Sequence, residues 1–232
     1  MRLRGAGLSM MSMLLPPHCL LCGARGQTHI DLCSACARDM PRNRPCCLHC
    51  GMPLAVAGDS CGDCQRHPRP WHSAWAPFRY AWPLNLLETR FKFSASLASG
   101  RVLARLWRDV GPPRARPDCI VPVPLHPRRL RQRGYNQALE LARPLARAWG
   151  IDLQAQLLRR HRHTAAQSEL DAVARRRNLR DAFVVNPLST VPRHIALLDD
   201  VMTTGATLAE CTRVIKRAGA RRVDVWALAR AP

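Results

Sequence analysis

The sequence predicts an α/β protein with a mostly parallel sheet and flanking helices, preceded by a small cysteine-rich region. Three observations lead to this prediction. From about residue 75 onward, short apolar runs typical of buried strands alternate with helical patterns. Residues 19–64 instead carry four evenly spaced pairs of cysteines. One apolar run ends in two aspartates and a threonine-rich turn, the place where ligands bind in open α/β sheets.

The elements of the α/β domain follow from the spacing of its apolar residues. Helical spacing predicts helices over 83–110, 135–149, 168–181 and 208–218. Short apolar runs predict strands over 118–123, 194–198 and 222–228, with a further extended segment over 151–158. Pro122 and Pro124 close the first strand, and Gly219 can cap the last helix. Strands that alternate with helices in this way are typical of a parallel sheet.

The chain divides into segments of different composition. Its 232 residues suffice for two domains of unequal size. We predict an N-terminal extension over 1–15, a double zinc ribbon over 16–68 and the α/β domain over 75–232. A segment rich in proline and arginine at 66–71 has the composition of a linker between the two domains.

Composition also limits where the protein works. A hydrophobic fraction of 47% supports a buried core, but the apolar runs are too short for a transmembrane segment. The apolar stretch at 8–17 lacks a small-residue cleavage site, which argues against a secretory signal. We therefore expect a cytoplasmic protein that reaches the membrane periphery only through partners.

The net charge points to an anionic partner. Lysines and arginines number 36 against 16 acidic residues, a net charge of +20, and only Lys92 and Lys216 are lysines. Such a surplus attracts nucleic acids, nucleotides and phosphorylated substrates. A GC-rich coding sequence would explain the preference for arginine over lysine, but it would not explain the shortage of acids.

The cysteine pairs have the spacing of zinc ligands. Each pair is a Cys-x-x-Cys turn, and successive turns start 14 residues apart: Cys19 and Cys22, Cys33 and Cys36, Cys47 and Cys50, Cys61 and Cys64. Two such turns supply the four thiolates of a tetrahedral zinc site. Gly23 and Gly51 follow two of the turns, where a left-handed residue helps the chain to reverse. The simplest pairing joins the first turn to the second and the third to the fourth, although spacing alone also allows an interleaved pairing.

Two other uses of these cysteines are less consistent with the sequence. Thioredoxin-like redox chemistry needs a Cys-x-x-Cys turn at the start of a helix that follows a strand, and no pair here is predicted in that context. A disulfide framework needs an oxidising compartment. We therefore predict two structural zinc ions. A zinc ion with four thiolate ligands has no open coordination position, so catalysis at the metal is not expected.

The most informative run extends from Ile195 to Thr207 and reads IALLDDVMTTGAT. Asp199 and Asp200 follow a buried strand, and two adjacent carboxylates can accept hydrogen bonds from a sugar diol or help to hold magnesium. The next helix offers unpaired N–H groups to a phosphate, supported by threonine hydroxyls and a close backbone approach at Thr203, Thr204, Gly205 and Thr207. The run therefore predicts a site for a phosphorylated sugar. An ordinary strand-to-helix turn with solvated acids is the alternative.

This run resembles the phosphoribosyl diphosphate (PRPP) signature of the type I phosphoribosyltransferases. The segment 121–137, VPVPLHPRRLRQRGYNQ, is similar to the "PVP…RGFNQ" block of the ComF family. Residues 164–183 are similar to the next block of that family, and Phe91-Lys92-Phe93 stands at its "lysine-tyrosine" step. Together with the four cysteine pairs, the resemblance covers the chain from about residue 16 to the C-terminus.

The resemblance implies a type I phosphoribosyltransferase-like domain that binds PRPP together with magnesium. Asp199 and Asp200 would then contact the ribose hydroxyls and form the catalytic pair. The 5′-phosphate would bind the turn formed by Thr203, Thr204, Gly205, Ala206 and Thr207. Lys92 and Arg133 would bind the diphosphate, which carries most of the ligand's charge. One departure is visible, because the family has a glycine soon after the lysine, whereas Ser94-Ala-Ser96 precedes Gly100 here.

Two functions of different classes follow. The ComF family is named for genetic competence and includes relatives linked to DNA uptake or use. The resemblance implies transfer of the phosphoribosyl group to a nitrogenous base, with proteins of the competence machinery as partners. The alternative is a non-catalytic accessory protein that binds single-stranded DNA or other nucleic acid through its zinc ribbon and arginine-rich surface. With two tyrosines and four phenylalanines, base stacking would depend on the six tryptophans, but Trp71, Trp75 and Trp82 are expected to pack the ribbon against the core.

Overall fold

The computed structural model describes residues 16–161 and 181–232. Its strands are β1 (Ser73–Trp75), β2 (Phe78–Arg79), β3 (Cys119–Pro122), β4 (Asp152–Leu153), β5 (Leu158–Arg160), β6 (Phe183–Val185), β7 (His194–Met202) and β8 (Arg222–Arg230). Its helices are α1 (Ser34–Arg38), α2 (Gly62–Arg66), α3 (Leu84–Phe93), α4 (Leu97–Val110), α5 (Pro127–Arg133), α6 (Gln137–Trp149) and α7 (Ala206–Arg217).

Six of these strands form one parallel sheet. Its order is β1-β8-β7-β3-β4, and β2 pairs with β8 beyond β1. Every strand pair in this sheet is parallel, whereas β5 and β6 form a separate antiparallel ladder. All residues of β8 after Arg222 are buried, as is usual where both faces of a sheet are covered. The predicted α/β class with a mostly parallel sheet is confirmed.

Alternate residues of the central strands enter two apolar layers. Leu198 and Trp226 face a layer built on α3, α4 and α6, whereas Leu197 faces the layer that contains α7. In the first layer, the ring centroid of Trp75 lies 5.6–6.0 Å from those of three other tryptophans, Trp107, Trp149 and Trp226. The two layers fix β7, and therefore the residues that follow Leu198, between helices on both sides.

The region between the two domains is more ordered than its composition suggested. Trp71 is buried, and β1 and β2 both pair with the C-terminal strand β8. Trp75 packs against three other tryptophans of the α/β domain. Trp71 packs between the ribbon and the sheet as expected, because its indole donates a hydrogen bond to the His49 carbonyl. Trp82 was expected to do the same, but its side chain is 67% exposed.

Other elements differ from the sequence-based expectations. Strand β7 continues to Met202, four residues beyond its predicted end, because β8 pairs with it along its whole length. The segment 151–158 is not one extended stretch but a short strand, a turn and the start of β5. Helix α6 begins at Gln137 because Asn136 accepts a hydrogen bond from the backbone N–H of Ala138 and caps it.

Some expectations fall on residues that the structure does not describe. The N-terminal extension over 1–15 and the arginine-rich helix predicted over 168–181 belong to this group, apart from Asp181 itself. Within the described ranges, no helix combines the length and apolar character needed to cross a membrane.

Helix α4 packs too closely on α3 to admit a larger residue at Gly100. An added Cβ at this position would lie 2.5 Å from Cε2 of the buried Phe91 ring. We expect Gly100→Ala to lower the free energy of unfolding, because overpacking costs about 1–3 kcal/mol and exceeds the gain in helix propensity of up to about 1 kcal/mol. Urea unfolding with zinc present measures this change. The matched control, exposed Arg101→Ala, should stay within about 0.5 kcal/mol of the wild type; a Gly100→Ala protein more stable than the wild type would contradict the packing described.

Candidate functional site

The cysteines form two separate tetrads. One consists of Cys19, Cys22, Cys33 and Cys36, and the other of Cys47, Cys50, Cys61 and Cys64. Within each tetrad all sulfur atoms lie within 4.8 Å of one another. The Sγ atoms of Cys22 and Cys33 are 3.8 Å apart and those of Cys50 and Cys61 are 3.6 Å apart. Tetrahedral zinc with bonds of about 2.3 Å needs sulfurs about 3.8 Å apart. Both tetrads therefore fit structural zinc, and consecutive rather than interleaved pairing is confirmed.

Local backbone geometry shapes these sites. Gly23 and Gly51 adopt left-handed φ values of +77° and +67°, as expected for the residue after each turn. Two pairs open helices, since Cys33 and Cys61 are the N-cap residues of α1 and α2. Both helices precede β1, the first strand of the described residues, so the strand-then-helix context of a thioredoxin-like site is absent there. Cys46 belongs to neither tetrad.

The electrostatics of the second tetrad favour a bound cation. Burial alone would raise the pKa of Cys47, but backbone N–H groups of Cys61, His49 and Cys50 lower that pKa to about 7. For Cys50 the burial effect dominates, and neighbouring thiols raise its pKa further. Four thiols this close cannot all ionise without a counter-charge, and a divalent zinc ion supplies it.

The two predicted acids lie where one neighbouring strand ends. Strand β3 pairs with β7 only as far as Leu198, whereas β8 follows β7 through Met202. Asp199 and Asp200 therefore stand at the carboxyl end of β3 while their backbone remains held by β8. Asp199 accepts a hydrogen bond from the N–H of Asp200 (2.9 Å), and Asp200 accepts one from the N–H of Val201 (2.6 Å). These bonds orient both partly buried carboxylates.

Lys92 connects these acids to a buried glutamate. Its Nζ atom lies 3.0 Å from Oδ2 of Asp200 and 2.8 Å from Oε1 of Glu88, which stands one turn earlier on α3. The side chain of Glu88 has no solvent exposure, and that of Lys92 is 17% exposed. Lys92 is therefore not the exposed helix-end lysine that its position in the sequence would allow.

The ionisable groups of this cluster have pKa values that are shifted in different directions. Burial and the charge of Asp200 raise the pKa of Asp199 well above its usual value. Burial has the same tendency at Asp200, but the charge and hydrogen bond of Lys92 outweigh it and lower that pKa. Burial and Asp200 raise the pKa of Glu88 to about 7. For Lys92, burial is outweighed by the charges of Asp200 and Glu88, which raise its pKa and keep it protonated.

The turn after β7 places a left-handed glycine directly before the start of α7. Gly205 has a φ of +74° and is the N-cap residue of α7, where a side chain cannot cap the helix. The Oγ1 atom of Thr204 accepts a hydrogen bond of 3.4 Å from the N–H of Ala206. The first turn of α7 thus faces the same space as the threonine hydroxyls.

One cavity of about 350 Å³ collects every residue predicted for PRPP. Those residues are Lys92, Arg133, Asp199, Asp200, Thr203, Thr204, Gly205, Ala206 and Thr207. The walls also include Asn136 and Gln137, which end the segment 121–137 that resembles the family block. Four further wall residues were not selected from the sequence as site residues: Tyr80, Phe93, Arg129 and Arg160. The guanidinium of Arg133 lies 5.6 Å above the Phe93 ring and donates a hydrogen bond to Gln137.

Glu88 is the most informative residue that the sequence reasoning missed. It stands between Leu87 and Phe91 on the apolar face of α3, four residues before Lys92. Its position on the apolar face of a predicted helix, four residues before a lysine, is typical of a buried ion pair and could have identified Glu88 from the sequence. Arg129 and Arg160 carried no such signal, because the chain contains many arginines.

The fold and site define a class of protein with two domains. The first is a double Cys₄ zinc ribbon, and the second is a parallel α/β domain whose central strand carries two aspartates. Residues 10–65 match the family model "Double zinc ribbon domain". The chain is 38% identical over 224 residues to "Competence protein F" of Haemophilus influenzae, covering 92% of this chain and 96% of that protein. It is 37% identical over 227 residues to "DNA utilization protein YhgH" of Salmonella typhi, covering 94% and 99% of the two chains. The chain therefore belongs to the ComF family.

More distant similarities were also found. "Competence protein ComFC" of Streptococcus pneumoniae is 27% identical over 231 residues, covering 91% of this chain and 99% of that protein. Among solved structures, a glutamine PRPP amidotransferase from B. subtilis is 19% identical, with a TM-score of 0.35, over 56% of this chain and 25% of that one. At that TM-score the structural similarity carries no argument about the ligand.

The two tetrads predict a defined metal content. We expect elemental analysis of the purified protein to find two zinc ions per chain. Cys22→Ser and Cys61→Ser should each reduce this content to about one, because each removes a ligand from a different tetrad. Cys46→Ser is the matched control and should retain both ions. Loss of zinc in the control, or a single ion in the wild type, would contradict the assignment.

Glu88 predicts a pH dependence of stability. In the folded protein the Glu88 pKa is about 7, whereas its ordinary value is 4.5, so protonation of Glu88 favours the folded state between these values. The stability of the wild type relative to Glu88→Gln should therefore fall as the pH rises from about 4.5 to about 7, by at least about 1 kcal/mol. Urea unfolding of both proteins at pH 5–8 measures this difference, with Glu140→Gln on α6 as control. Parallel curves for wild type and Glu88→Gln would rule out the raised pKa.

Proposed function

We propose that the cavity at the end of β7 binds PRPP together with magnesium. The observation that carries the proposal is the meeting of a carboxylate pair, a threonine- and glycine-rich helix start and several cations in one cavity of about 350 Å³. A volume of this size suits a small ligand. Carboxylate oxygens are the hard donors that magnesium prefers, so the acid pair also fits the metal that accompanies a diphosphate.

Each part of the ligand has a chemically suitable partner. Asp199 and Asp200 accept hydrogen bonds from the ribose hydroxyls. The turn over 203–207 offers N–H groups and threonine hydroxyls to the 5′-phosphate. Lys92 and Arg133 bind the diphosphate, where charge-assisted hydrogen bonds contribute most.

The arginines of the cavity support an anionic ligand. Burial and the neighbouring charge of Arg133 lower the pKa of Arg129. Burial and the charge of Arg129 likewise lower the pKa of Arg160. These guanidinium groups thus repel one another in a partly desolvated space. A ligand with several negative charges relieves that repulsion, and PRPP is such a ligand.

The same arrangement suits a phosphoribosyl transfer. In this reaction the bond between the anomeric carbon and the diphosphate oxygen breaks, and a bond from that carbon to a nitrogen of the acceptor base forms. Positive charge develops on the ribose ring and negative charge on the departing diphosphate. Asp199 and Asp200 stabilise the former, while Lys92 and Arg133 stabilise the latter.

The biological setting comes from the family. Relatives that align over nearly their whole length are named for competence and for DNA utilisation. We assign this chain to the same kind of process, with proteins of the competence machinery as partners. A reducing cytoplasm suits the proposal, because the eight ligand thiols must remain reduced.

A second candidate function is the binding of single-stranded DNA or other nucleic acid. A groove of about 1320 Å³ lies between the second zinc ribbon and α7. Four arginines line it together with His67: Arg69, Arg213, Arg217 and Arg230. Two of the arginines are engaged with acids, since Arg69 pairs with Asp63 and Arg213 with Glu210. The groove therefore supports nucleic-acid binding less strongly than the cavity supports PRPP.

Calorimetric titration tests PRPP binding. With magnesium present, the wild type should bind PRPP, and the double variant Asp199→Asn/Asp200→Asn should bind it at least about tenfold more weakly, because the acid pair loses its negative charge. Asp109→Asn, an exposed acid on α4 that pairs with Arg105, is the matched control and should bind like the wild type. Equal affinity of the double variant and the wild type would contradict the proposed site.

Two further measurements separate the candidate functions. Release of diphosphate from PRPP, screened across nucleobases, would establish transfer, whereas no release with any base would favour a non-catalytic role. A protein that acts only on nucleic acid would show no PRPP response but would bind single-stranded DNA with a steep salt dependence.

A further inference from the structure

The third Cys-x-x-Cys turn is hydrogen-bonded to the α/β domain through three consecutive carbonyls. The Leu48 carbonyl accepts from the N–H of Ala74 (2.7 Å), and the His49 carbonyl accepts from the indole Nε1 of Trp71 (2.5 Å). The Cys50 carbonyl accepts from the guanidinium Nε of Arg230 (2.9 Å). Because Cys47 and Cys50 bracket this turn, a zinc ion in the second tetrad fixes the direction of all three carbonyls.

Trp71 joins this turn to the proposed 5′-phosphate loop. Its side chain is buried, and its ring lies against Gly205. A Cβ added at Gly205 would lie 3.0 Å from Cη2 of Trp71. The indole therefore contacts the residue that ends the turn and begins α7, while its N–H holds the zinc turn.

Arg230 makes the corresponding connection at the other end of the loop. Its side chain is also buried, and its second guanidinium contact is a hydrogen bond of 3.1 Å from NH1 to the carbonyl of Met202. Met202 is the last residue of β7 and directly precedes Thr203. The loop is therefore held before its start by Arg230 and at its end by Trp71, and both side chains also bond to the same zinc turn.

The first tetrad has a different neighbour. The Leu20 carbonyl in its first turn accepts a hydrogen bond from the guanidinium of Arg90 on α3. The buried Cys19 packs into the apolar layer of α3, α4 and α6 rather than the layer of α7. The two zinc sites are thus attached to different parts of the domain. Among the residues that the structure describes, only the second site is bonded to the side chains that flank the proposed phosphate loop.

We propose that Trp71 and Arg230 are positioning residues through which the second zinc site holds the 5′-phosphate loop in its binding conformation. The inference rests on the proposed function for the identity of the ligand. The contacts of Trp71 and Arg230 with the zinc turn and the loop do not depend on PRPP. Loss of zinc from the tetrad of Cys47 and Cys61 releases the three carbonyls, and with them the backbone of residues 203–205. The second zinc ribbon then contributes to ligand binding by fixing the backbone of the loop, and it is not a structurally independent module.

Amide hydrogen exchange tests the connection directly. In the absence of ligand, exchange over residues 203–208 should accelerate in Trp71→Ala and in Cys61→Ser, because each variant breaks the path from the second tetrad to the loop. Exchange there should remain at the wild-type rate in Cys22→Ser, which disrupts only the first tetrad. It should also remain unchanged in Trp82→Ala, the matched removal of an exposed tryptophan.

Ligand affinity provides the second measurement. With magnesium, Trp71→Ala should weaken PRPP binding about tenfold, within the usual range of coupling between sites, while Trp82→Ala leaves it unchanged. Trp71→Phe keeps an aromatic ring beside Gly205 but removes the indole N–H, so its affinity should fall between those of the wild type and Trp71→Ala. Such graded rescue distinguishes positioning of the loop from a general loss of stability.

The outcomes separate this inference from the proposed function. Wild-type exchange over 203–208 in both Trp71→Ala and Cys61→Ser would overturn the inference, as would a uniform increase throughout the domain. If the wild type fails to bind PRPP, the proposed function is wrong, while the exchange data still decide whether the second zinc site holds the loop. Should Trp71→Ala fail to fold, exchange in Trp71→Phe and Cys61→Ser decides in the same way.

Discussion

The candidate site depends on one lysine that bridges two of three neighbouring carboxylates. Asp199, Asp200 and the buried Glu88 would repel one another at the end of β7 without Lys92, whose Nζ lies 2.8 Å from Glu88 and 3.0 Å from Asp200. This ion pair is largely shielded from water, so its charges interact strongly. It joins α3 to β7 and holds the acids beside the turn that precedes α7. Without it, an acid pair at this position would be protonated or displaced.

The sequence predicted the features that depend on local pattern. Cysteine spacing gave both tetrads, because two thiolates on a tight turn are a local property and zinc needs two such turns. The run from Ile195 to Thr207 predicted the acids and the turn that line one cavity, because the apolar strand, the carboxylates and the helix start are contiguous in the chain. The alternating strands and helices gave the parallel sheet. The consecutive pairing of the cysteine turns was the simplest choice, but the sulfur distances were needed to exclude the interleaved one.

The remaining features come from contacts between distant residues, which no local pattern records. Trp71 meets His49 and Gly205 although these residues are 22 and 134 positions away, and Arg230 meets Cys50 across 180 positions. The strand β1 was missed because its three residues pair with β8 near the C-terminus and have little pattern of their own. Glu88 could have been predicted from the sequence, because its spacing to Lys92 is that of a helical ion pair. Only its complete burial in the structure shows that it belongs to the site.

A crystal structure of the zinc-loaded protein with magnesium and PRPP tests the central claim most directly. It should show the 5′-phosphate on the backbone N–H groups of residues 203–207, the ribose hydroxyls on Asp199 and Asp200, and the diphosphate beside Lys92 and Arg133. The assignment would be contradicted if PRPP bound outside this cavity. It would also be contradicted if the acid pair turned away from the sugar while the loop contacted another part of the ligand.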